Sequence, residues 1–179
     1  VDCRVRACVA LTFDDGPGPY TQALLDVLAA RKVKATFFVL GGVAERCPGL
    51  VRAIAERGHE VACHGYSHQL IYEQTSAAFR EETVRAKACL ENQVQKPILG
   101  YRAASYSITK RSLWALDILA DLGFAYDSSI FPIRHDRYGI PGSPRWPYRL
   151  DIPSGGSLIE FPPSTLEVGG HRLPVAGGG

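Results

Sequence analysis

Apolar and polar positions follow a regular pattern along the first two thirds of the chain. Short apolar runs of three to seven residues are separated by segments in which apolar residues recur every three or four positions. The short runs predict buried strands, and the other segments predict amphipathic helices. The predicted strands cover residues 7–13, 34–40, 60–63, 97–101 and 124–126, and the predicted helices cover residues 20–31, 50–55, 76–93 and 113–119.

Strands that alternate with helices, joined by connections too long for hairpins, predict an α/β fold with a parallel sheet. The first run, residues 7–13, is apolar and partly β-branched, so we expect a strand buried on both faces. Gly41 and Gly42 are expected to end the second strand, and Gly58 and Gly123 to close helices. The length of 179 residues predicts a single domain over residues 1–179.

The alternation breaks down beyond Asp127. Residues 133–156 are rich in Pro, Gly, Arg and Tyr, and we interpret them as a long loop without a core. Residues 158–161 predict another strand, and residues 173–175 a short last one. The chain stops at three glycines with no closing helix, so we expect later elements of the domain to be missing.

Composition excludes some functions. The net charge is +2 with acids and bases interspersed, which indicates no nucleic-acid surface. No apolar segment approaches the roughly 18 residues of a membrane span.

Cys63 lies in an apolar run and is expected to be a buried thiol. Cys3 and Cys8, with each other or with Cys47 or Cys89, allow a disulfide that the sequence alone does not assign.

Two adjacent carboxylates, Asp14 and Asp15, follow the first apolar run and precede a Gly/Pro turn. Side chains alternate along a strand, so the two carboxylates should point in different directions from nearly the same place. One carboxylate can then bind a metal while the other accepts and donates protons. A solvated surface turn is the alternative, because turns are rich in Asp, Gly and Pro.

Other polar residues follow the later strands. His64 and His68, four residues apart, come after the third strand and would share a face if the segment were helical. Arg102 follows the fourth strand and Asp127 the fifth. Because the carboxyl ends of parallel strands open onto one face, these residues should meet there. Two imidazoles and one carboxylate are the ligands of a hydrolytic zinc site.

Three motifs resemble those of one enzyme family, the polysaccharide deacetylases (NodB-homology domain, carbohydrate esterase family four). The motifs are Thr12-Phe13-Asp14-Asp15-Gly16, His64-Gly65-Tyr66-Ser67-His68 and Arg102-Ala103-Ala104-Ser105-Tyr106. Residues 126–139 and 160–164 resemble a branch of the family associated with bacterial exopolysaccharide production. The resemblance implies a distorted, incomplete (β/α) barrel with a divalent metal in its mouth, most often Zn²⁺, with Co²⁺ as an alternative.

The resemblance also implies roles for individual residues. Asp15, His64 and His68 would be the metal ligands. Asp14 would be the general base, and Arg102 would pair with it and fix its orientation. A backbone N–H near Ser105 or Tyr106 would stabilise the oxyanion, and Asp127 would belong to a fourth motif. Hydrolysis would then release acetate and a free amine.

The sequence departs from the family pattern at three places. Ala104 replaces the usual Pro of the third motif, and the Trp of the fourth motif is replaced by Phe131 or lost. The His of the last motif, which protonates the departing amine, has no match. His59 lies at the start of a strand, at the wrong edge of the sheet for this role. The general acid therefore either belongs to a missing C-terminal segment or is supplied by His135 or His171.

The leading hypothesis is a metal-dependent deacetylase of N-acetylated sugars in a polysaccharide. The alternatives are an O-acetyl esterase, a glycan-binding pseudoenzyme and a phosphoryl-transfer enzyme, the last disfavoured by two His ligands. Trp146 is the candidate aromatic residue for stacking on a sugar ring. We expect an extracytoplasmic location, with the cytoplasm as alternative, and the sequence indicates neither the polysaccharide nor the oligomeric state.

Overall fold

Nine strands and five α-helices make up residues 9–153 and 155–175, the part of the chain that this computed structural model describes. The strands are β1 (Thr12–Gly16), β2 (Thr36–Val39), β3 (Glu60–Cys63), β4 (Gly100–Tyr101), β5 (Tyr126–Asp127), β6 (Tyr148–Asp151), β7 (Ser157–Glu160), β8 (Thr165–Val168) and β9 (His171–Pro174). The helices are α1 (Thr21–Ala30), α2 (Gly41–Arg46), α3 (Pro48–Glu56), α4 (Ser76–Val94) and α5 (Trp114–Asp121). Short 3₁₀ helices occur at Ile71–Glu73 and Ala104–Tyr106.

The first seven of these strands form one sheet, in the order β1-β2-β3-β4-β5-β7-β6. The pairs from β1 to β5, and the pair β5 with β7, are parallel, whereas β6 runs antiparallel to β7. The predicted α/β fold with a parallel sheet is therefore confirmed. The carboxyl ends of β1 to β5 and β7 consequently lie along one edge of the sheet.

The strands β2 and β3 are buried as their apolar sequences predict, and Val39 and Cys63 are fully buried. The prediction for β1 was wrong in both position and burial. The strand begins at Thr12, and its only partner among the described strands is β2. Leu11 is 40% and Val9 86% exposed. An edge strand has a neighbour on one side only, so its apolar residues stay partly in water.

The helices α1, α3, α4 and α5 lie where the sequence predicts them. The Thr75 hydroxyl accepts a hydrogen bond from the Ala78 N–H and starts α4, and Gln95 in the left-handed conformation ends it. Helix α2 was not predicted, because Gly41 and Gly42 were expected only to end β2. A Cβ at position 41 would lie 2.9 Å from the Ala86 Cα, so glycine lets α2 pack closely on α4.

Residues 133–156 were predicted to be a loop without a core, and this prediction was wrong. Ile133 and Ile152 are buried, and Ile152 belongs to the main hydrophobic core. The segment also contains β6, which pairs with β7 along its whole length. This pairing covers an edge of β7 that would otherwise present unpaired backbone groups.

A hairpin of β8 and β9 stands beside the main sheet. A strand was predicted at residues 173–175 and is observed at His171–Pro174, whereas β8 was not predicted. Arg145 anchors the hairpin through Thr165, donating to its hydroxyl at 2.9 Å and to its carbonyl at 2.6 Å. Arg172 anchors it from the other strand, donating to the Ser143 carbonyl at 2.7 Å.

The three cysteines at 47, 63 and 89 are free thiols, and Cys63 is fully buried as expected. Burial raises the pKa of the Cys63 thiol to about 12, so this thiol is protonated at neutral pH. A pairing of Cys3 with Cys8 lies outside the described residues. No helix within residues 9–153 and 155–175 combines the length and hydropathy that a membrane span requires.

Candidate active site

The polar residues singled out in the sequence lie at one edge of the parallel sheet. Asp14 and Asp15 are near the end of β1, and His64, Arg102 and Asp127 follow or end β3, β4 and β5. β3, β4 and β5 are adjacent and only β2 separates them from β1, so the parallel sheet brings these ends to one edge, although the residues are far apart in the chain.

Asp15, His64 and His68 form the cluster with the chemistry of a metal site. The Asp15 Oδ1 lies 3.3 Å from the His64 Nε2 and 3.1 Å from the His68 Nε2. One ligand atom from each residue lies within 4.8 Å of the other two. His64 is buried, whereas the side chains of His68 and Asp15 are 39% and 64% exposed, so the cluster opens to solvent on one side.

The His64 ring is oriented by a backbone carbonyl. Its Nδ1 lies 2.7 Å from the Arg102 carbonyl oxygen, which can only accept a hydrogen bond. The Nδ1 therefore carries a proton, and in the neutral ring the Nε2 lone pair points at the Asp15 carboxylate. Two lone pairs facing each other at this distance fit a cation held between them.

The segment from His64 to His68 is not helical, so the two rings do not meet through helical spacing. Gly65 and His68 adopt positive φ angles of 78° and 63°, and the chain turns sharply between them. The carbonyls of Gly65 and Tyr66 accept hydrogen bonds from the N–H groups of Gly41 and Gly42, at 2.9 and 3.0 Å. The start of α2 thus holds the loop that carries both histidines.

The pKa of Asp15 is lowered from its ordinary value. The main cause is hydrogen bonding to His64, partial burial opposes it, and electrostatic interaction with His64 and His68 adds to it. Asp15 is therefore ionised at neutral pH, as a metal ligand must be.

Asp14 has a different partner from Asp15 and is held by Arg102. The Arg102 Nη1 donates to the Asp14 Oδ1 and to the Thr12 hydroxyl, both at 2.8 Å. Its Nε and Nη2 donate to the carbonyl and hydroxyl of Ser128, at 3.2 and 2.8 Å. The guanidinium carbon lies 4.0 Å from the centre of the Phe38 ring. The Arg102 side chain is 7% exposed, so this network is shielded from water.

Ser105 and Tyr106 follow Arg102 in a 3₁₀ turn, with φ angles of 49° and 53°. The Tyr106 N–H donates to the Ala103 carbonyl at 3.0 Å, which leaves the Ser105 N–H as the candidate oxyanion donor. The Tyr106 ring centre lies 5.8 Å from the Arg102 guanidinium carbon. Burial is the main cause that raises the pKa of Tyr106, so its hydroxyl stays protonated beside the site.

Asp127 is fully buried and is not part of the open cluster. Its carboxylate accepts from the Ser129 hydroxyl at 2.6 Å and from the Ser129 N–H at 3.1 Å, and it interacts with Glu160. Trp146 precedes β6, is 75% exposed and makes no aromatic or cation–π contact within the described residues. Within residues 9–153 and 155–175, neither side chain forms a hydrogen bond or an ion pair with Asp14 or with the three residues of the cluster.

Several residues around the site were not singled out from the sequence. Ser128 and Thr12 bind Arg102, and Glu160 interacts with Asp127. The signal for Glu160 was a single carboxylate in an otherwise apolar strand sequence, Leu158 to Phe161. The signal for Ser128 and Ser129 was their position directly after Asp127.

The three remaining histidines lie in different surroundings. His59 is buried at the start of β3, away from the site, and its Nδ1 accepts from the Ala35 N–H at 3.2 Å. His171 begins the exposed strand β9. His135 lies on the loop after β5 and stacks on Tyr138, with ring centres 3.9 Å apart. Tyr138 in turn packs against Tyr106, with ring centres 6.0 Å apart.

The fold and the cluster define a class: an α/β protein with a His/His/Asp cluster that could hold a metal ion at the carboxyl edge of a parallel sheet. The chain belongs to the polysaccharide deacetylase family, whose model matches residues 2–126. Residues 128–179 match a second model, described as a domain of unknown function (DUF3473). The second region is continuous with the first in the structure, since β7 extends the sheet beside β5.

Curated relatives cover parts of the chain. A chitooligosaccharide deacetylase of Bradyrhizobium sp. (strain ANU 289) is 36% identical over 113 residues, 63% of this chain. A peptidoglycan-N-acetylglucosamine deacetylase of Bacillus cereus is 42% identical over 86 residues, 48% of this chain. The matched parts span 49% and 31% of these two relatives.

Solved structures of the family share the fold. A provisionally assigned polysaccharide deacetylase of Mycobacterium smegmatis superposes with a TM-score of 0.72 and 29% identity, over 86% of this chain and 57% of the other. A family 4 carbohydrate esterase of Streptomyces lividans, solved with acetate, gives a TM-score of 0.62 and 31% identity, over 69% of this chain and 62% of the other. The predicted distorted (β/α) barrel is therefore confirmed.

Proposed function

We propose that the protein is a metal-dependent deacetylase that removes N-acetyl groups from N-acetylglucosamine residues of a polysaccharide. The observation that carries the proposal is the pair of adjacent carboxylates with separate partners. Asp15 faces two imidazoles, and Asp14 is held by Arg102. The names of the curated relatives, which deacetylate chitooligosaccharide or peptidoglycan N-acetylglucosamine, support the substrate class.

Asp15, His64 and His68 would hold the metal, and their donor set fits Zn²⁺, with Co²⁺ as an alternative. A bound zinc ion supplies a Lewis acid that polarises the acetyl carbonyl and makes a water more acidic. The orientation of His64 supports this assignment, because its Nδ1 hydrogen bond to the Arg102 carbonyl leaves Nε2 available to a cation.

Asp14 is the proposed general base. It accepts the proton of the attacking water while the water oxygen forms a bond to the acetyl carbon. Arg102 fixes the carboxylate at 2.8 Å and leaves its other oxygen for the water. The Ser105 N–H is the proposed donor to the oxyanion. The C–N bond then breaks, acetate leaves, and the amine takes up a proton.

His135 is the proposed donor of that last proton. It lies on the loop that follows β5, at the carboxyl edge of the sheet where the site is, unlike His59. Its Nδ1 faces the Asp136 carboxylate at 2.9 Å, which leaves Nε2 for the amine. His135 stacks on Tyr138, and the Tyr138 ring packs at a tilt against Tyr106, which links His135 to the Arg102 side of the site.

The direct test measures acetate release from an N-acetylglucosamine oligomer by the purified, zinc-loaded protein, beside the Asp14→Asn variant. We expect turnover that disappears in the variant and after removal of zinc by a chelator. Acetylated xylan is the comparison substrate. Turnover of the xylan alone would identify an O-acetyl esterase, and tight oligomer binding without turnover of either substrate would identify a glycan-binding protein.

A further inference from the structure

Two carboxyl groups are buried next to each other behind Arg102. Asp127 and Glu160 are paired in register across β5 and β7, and each is 0% exposed. Burying a carboxyl group costs several kcal/mol unless hydrogen bonds compensate it. Burial of two carboxyl groups is therefore unfavourable unless other groups bind to them. The groups that bind Asp127 and Glu160 indicate the role of the pair.

Burial disfavours a negative charge on both carboxyl groups at once. Burial raises the pKa of Glu160 well above its ordinary value, and the charge of Asp127 raises it further, so Glu160 is protonated. Its Oε1 accepts from the Ile130 N–H at 3.0 Å. Its Oε2 has no donor within the described residues, which fits an O–H that donates to Asp127.

Asp127 is connected by hydrogen bonds to the segment that contains Arg102. The Ser129 hydroxyl donates to Asp127 at 2.6 Å and accepts from the Ala103 N–H at 2.8 Å. The Ser128 hydroxyl donates to the Phe161 carbonyl at 2.7 Å and accepts from the Arg102 Nη2 at 2.8 Å. Residues 127–129 thus hold both the backbone after Arg102 and the end of its side chain.

We propose that Glu160 and Asp127 are positioning residues that act through Ser128 and Ser129 to aim Arg102 at Asp14. The inference rests on the proposed function, since Asp14 is the base of that reaction. Neither carboxyl group touches the reacting atoms. Each fixes the direction of the guanidinium, and an error of about 1 Å in such a geometry can cost about 10² in rate.

The test compares two substitutions of Glu160. Glu160→Gln keeps an oxygen for the Ile130 N–H and offers an amide N–H to Asp127, so we expect kcat within about threefold of the parent. Glu160→Leu keeps the size and removes both bonds. We expect kcat to fall about 30-fold to 100-fold, with KM within about twofold and zinc content unchanged.

A purely structural role is excluded by two further measurements. Ile54→Val, a buried change in α3 away from the site, lowers the stability of the fold and should leave kcat unchanged. If Glu160 acts through Arg102, the double variant Glu160→Leu with Arg102→Lys loses much less kcat than the product of the two single losses. Circular dichroism at the assay temperature verifies that each variant is folded.

The outcomes separate the two proposals. If the unaltered protein releases no acetate, the proposed function fails. If it is active and Glu160→Leu is equally active, the positioning role is wrong. The positioning role is also wrong if both Glu160 variants lose kcat to the same extent, or if the losses in the double variant multiply.

Discussion

Replacing Arg102 by lysine keeps the positive charge but removes the geometry of the guanidinium. The arginine makes four hydrogen bonds, to Asp14, to Thr12 and twice to Ser128. A lysine ammonium can retain the ion pair with Asp14 but cannot span the other acceptors. Three bonds lost at about 1 kcal/mol each predict a decrease of about 3 kcal/mol in the free energy of unfolding.

The same substitution should lower kcat by about 10², because Asp14 loses its fixed direction. Zinc affinity should stay within about twofold, since the carbonyl that orients His64 belongs to the backbone at position 102 and is retained. The predicted variant is therefore loaded with metal but nearly inactive.

Urea unfolding followed by circular dichroism measures the stability, acetate release measures kcat, and metal analysis after dialysis measures zinc retention. Arg85→Lys is the matched control. Arg85 also stacks on an aromatic ring, at 3.8 Å from the centre of Tyr66, and pairs with Glu45, but it is 58% exposed. We expect a change of less than about 1 kcal/mol there and no change in kcat. Equal effects of the two lysine substitutions would refute the reasoning.

Three further predictions concern single histidines. His68→Ala should weaken zinc binding at least about tenfold, measured by competition with a chromogenic chelator, and retained affinity would show that His68 is not a ligand. His135→Phe, which keeps the stack on Tyr138, should lower kcat for the N-acetyl substrate by about 10² but leave hydrolysis of an aryl acetate unchanged, because a phenolate leaves without a proton; an equal loss on both substrates would contradict an acid role. Burial, with the charges of Lys34 and Arg57, lowers the pKa of His59 below its ordinary 6.5. The unfolded chain then binds more protons below pH 6.5, so stability is full above that pH and is lost as the pH falls. In thermal melts His59→Gln should lose less stability on acidification than the parent, and parallel losses would contradict this origin.

Much of the sheet was predictable because its interior strands are continuous apolar runs. After their polar first residues, Thr36 and Glu60, the sequences of β2 and β3 are apolar, as burial on both faces requires. Helix α2 and strand β6 were not predicted, because contacts with distant parts of the chain, and not the local sequence, determine them. Gly41 and Gly42 have low helix propensity, and they are helical because close packing on α4 excludes a larger residue. The partner of β6 is fixed by tertiary pairing, which no local pattern encodes.

The candidate site was predictable as far as the strand order places strand ends together. Asp14, Asp15, His64 and Arg102 come at the carboxyl ends of β1, β3 and β4. These parallel strands lie close together in one sheet, with only β2 between β1 and β3, so proximity followed from topology. The surroundings of Asp127 were not predictable, because the direction of a side chain depends on register. The pairing of β5 with β7 shows that this carboxylate interacts with Glu160.

The contact between α2 and the histidine loop has a consequence for protein engineering. The two N–H groups that begin α2 bind the carbonyls of Gly65 and Tyr66, and Gly41 allows the helix to lie against α4. Grafting Asp15, His64 and His68 onto another scaffold would transfer the ligands without the elements that hold them. A transplantable form of this metal centre would have to include α2 and the face of α4 beneath it.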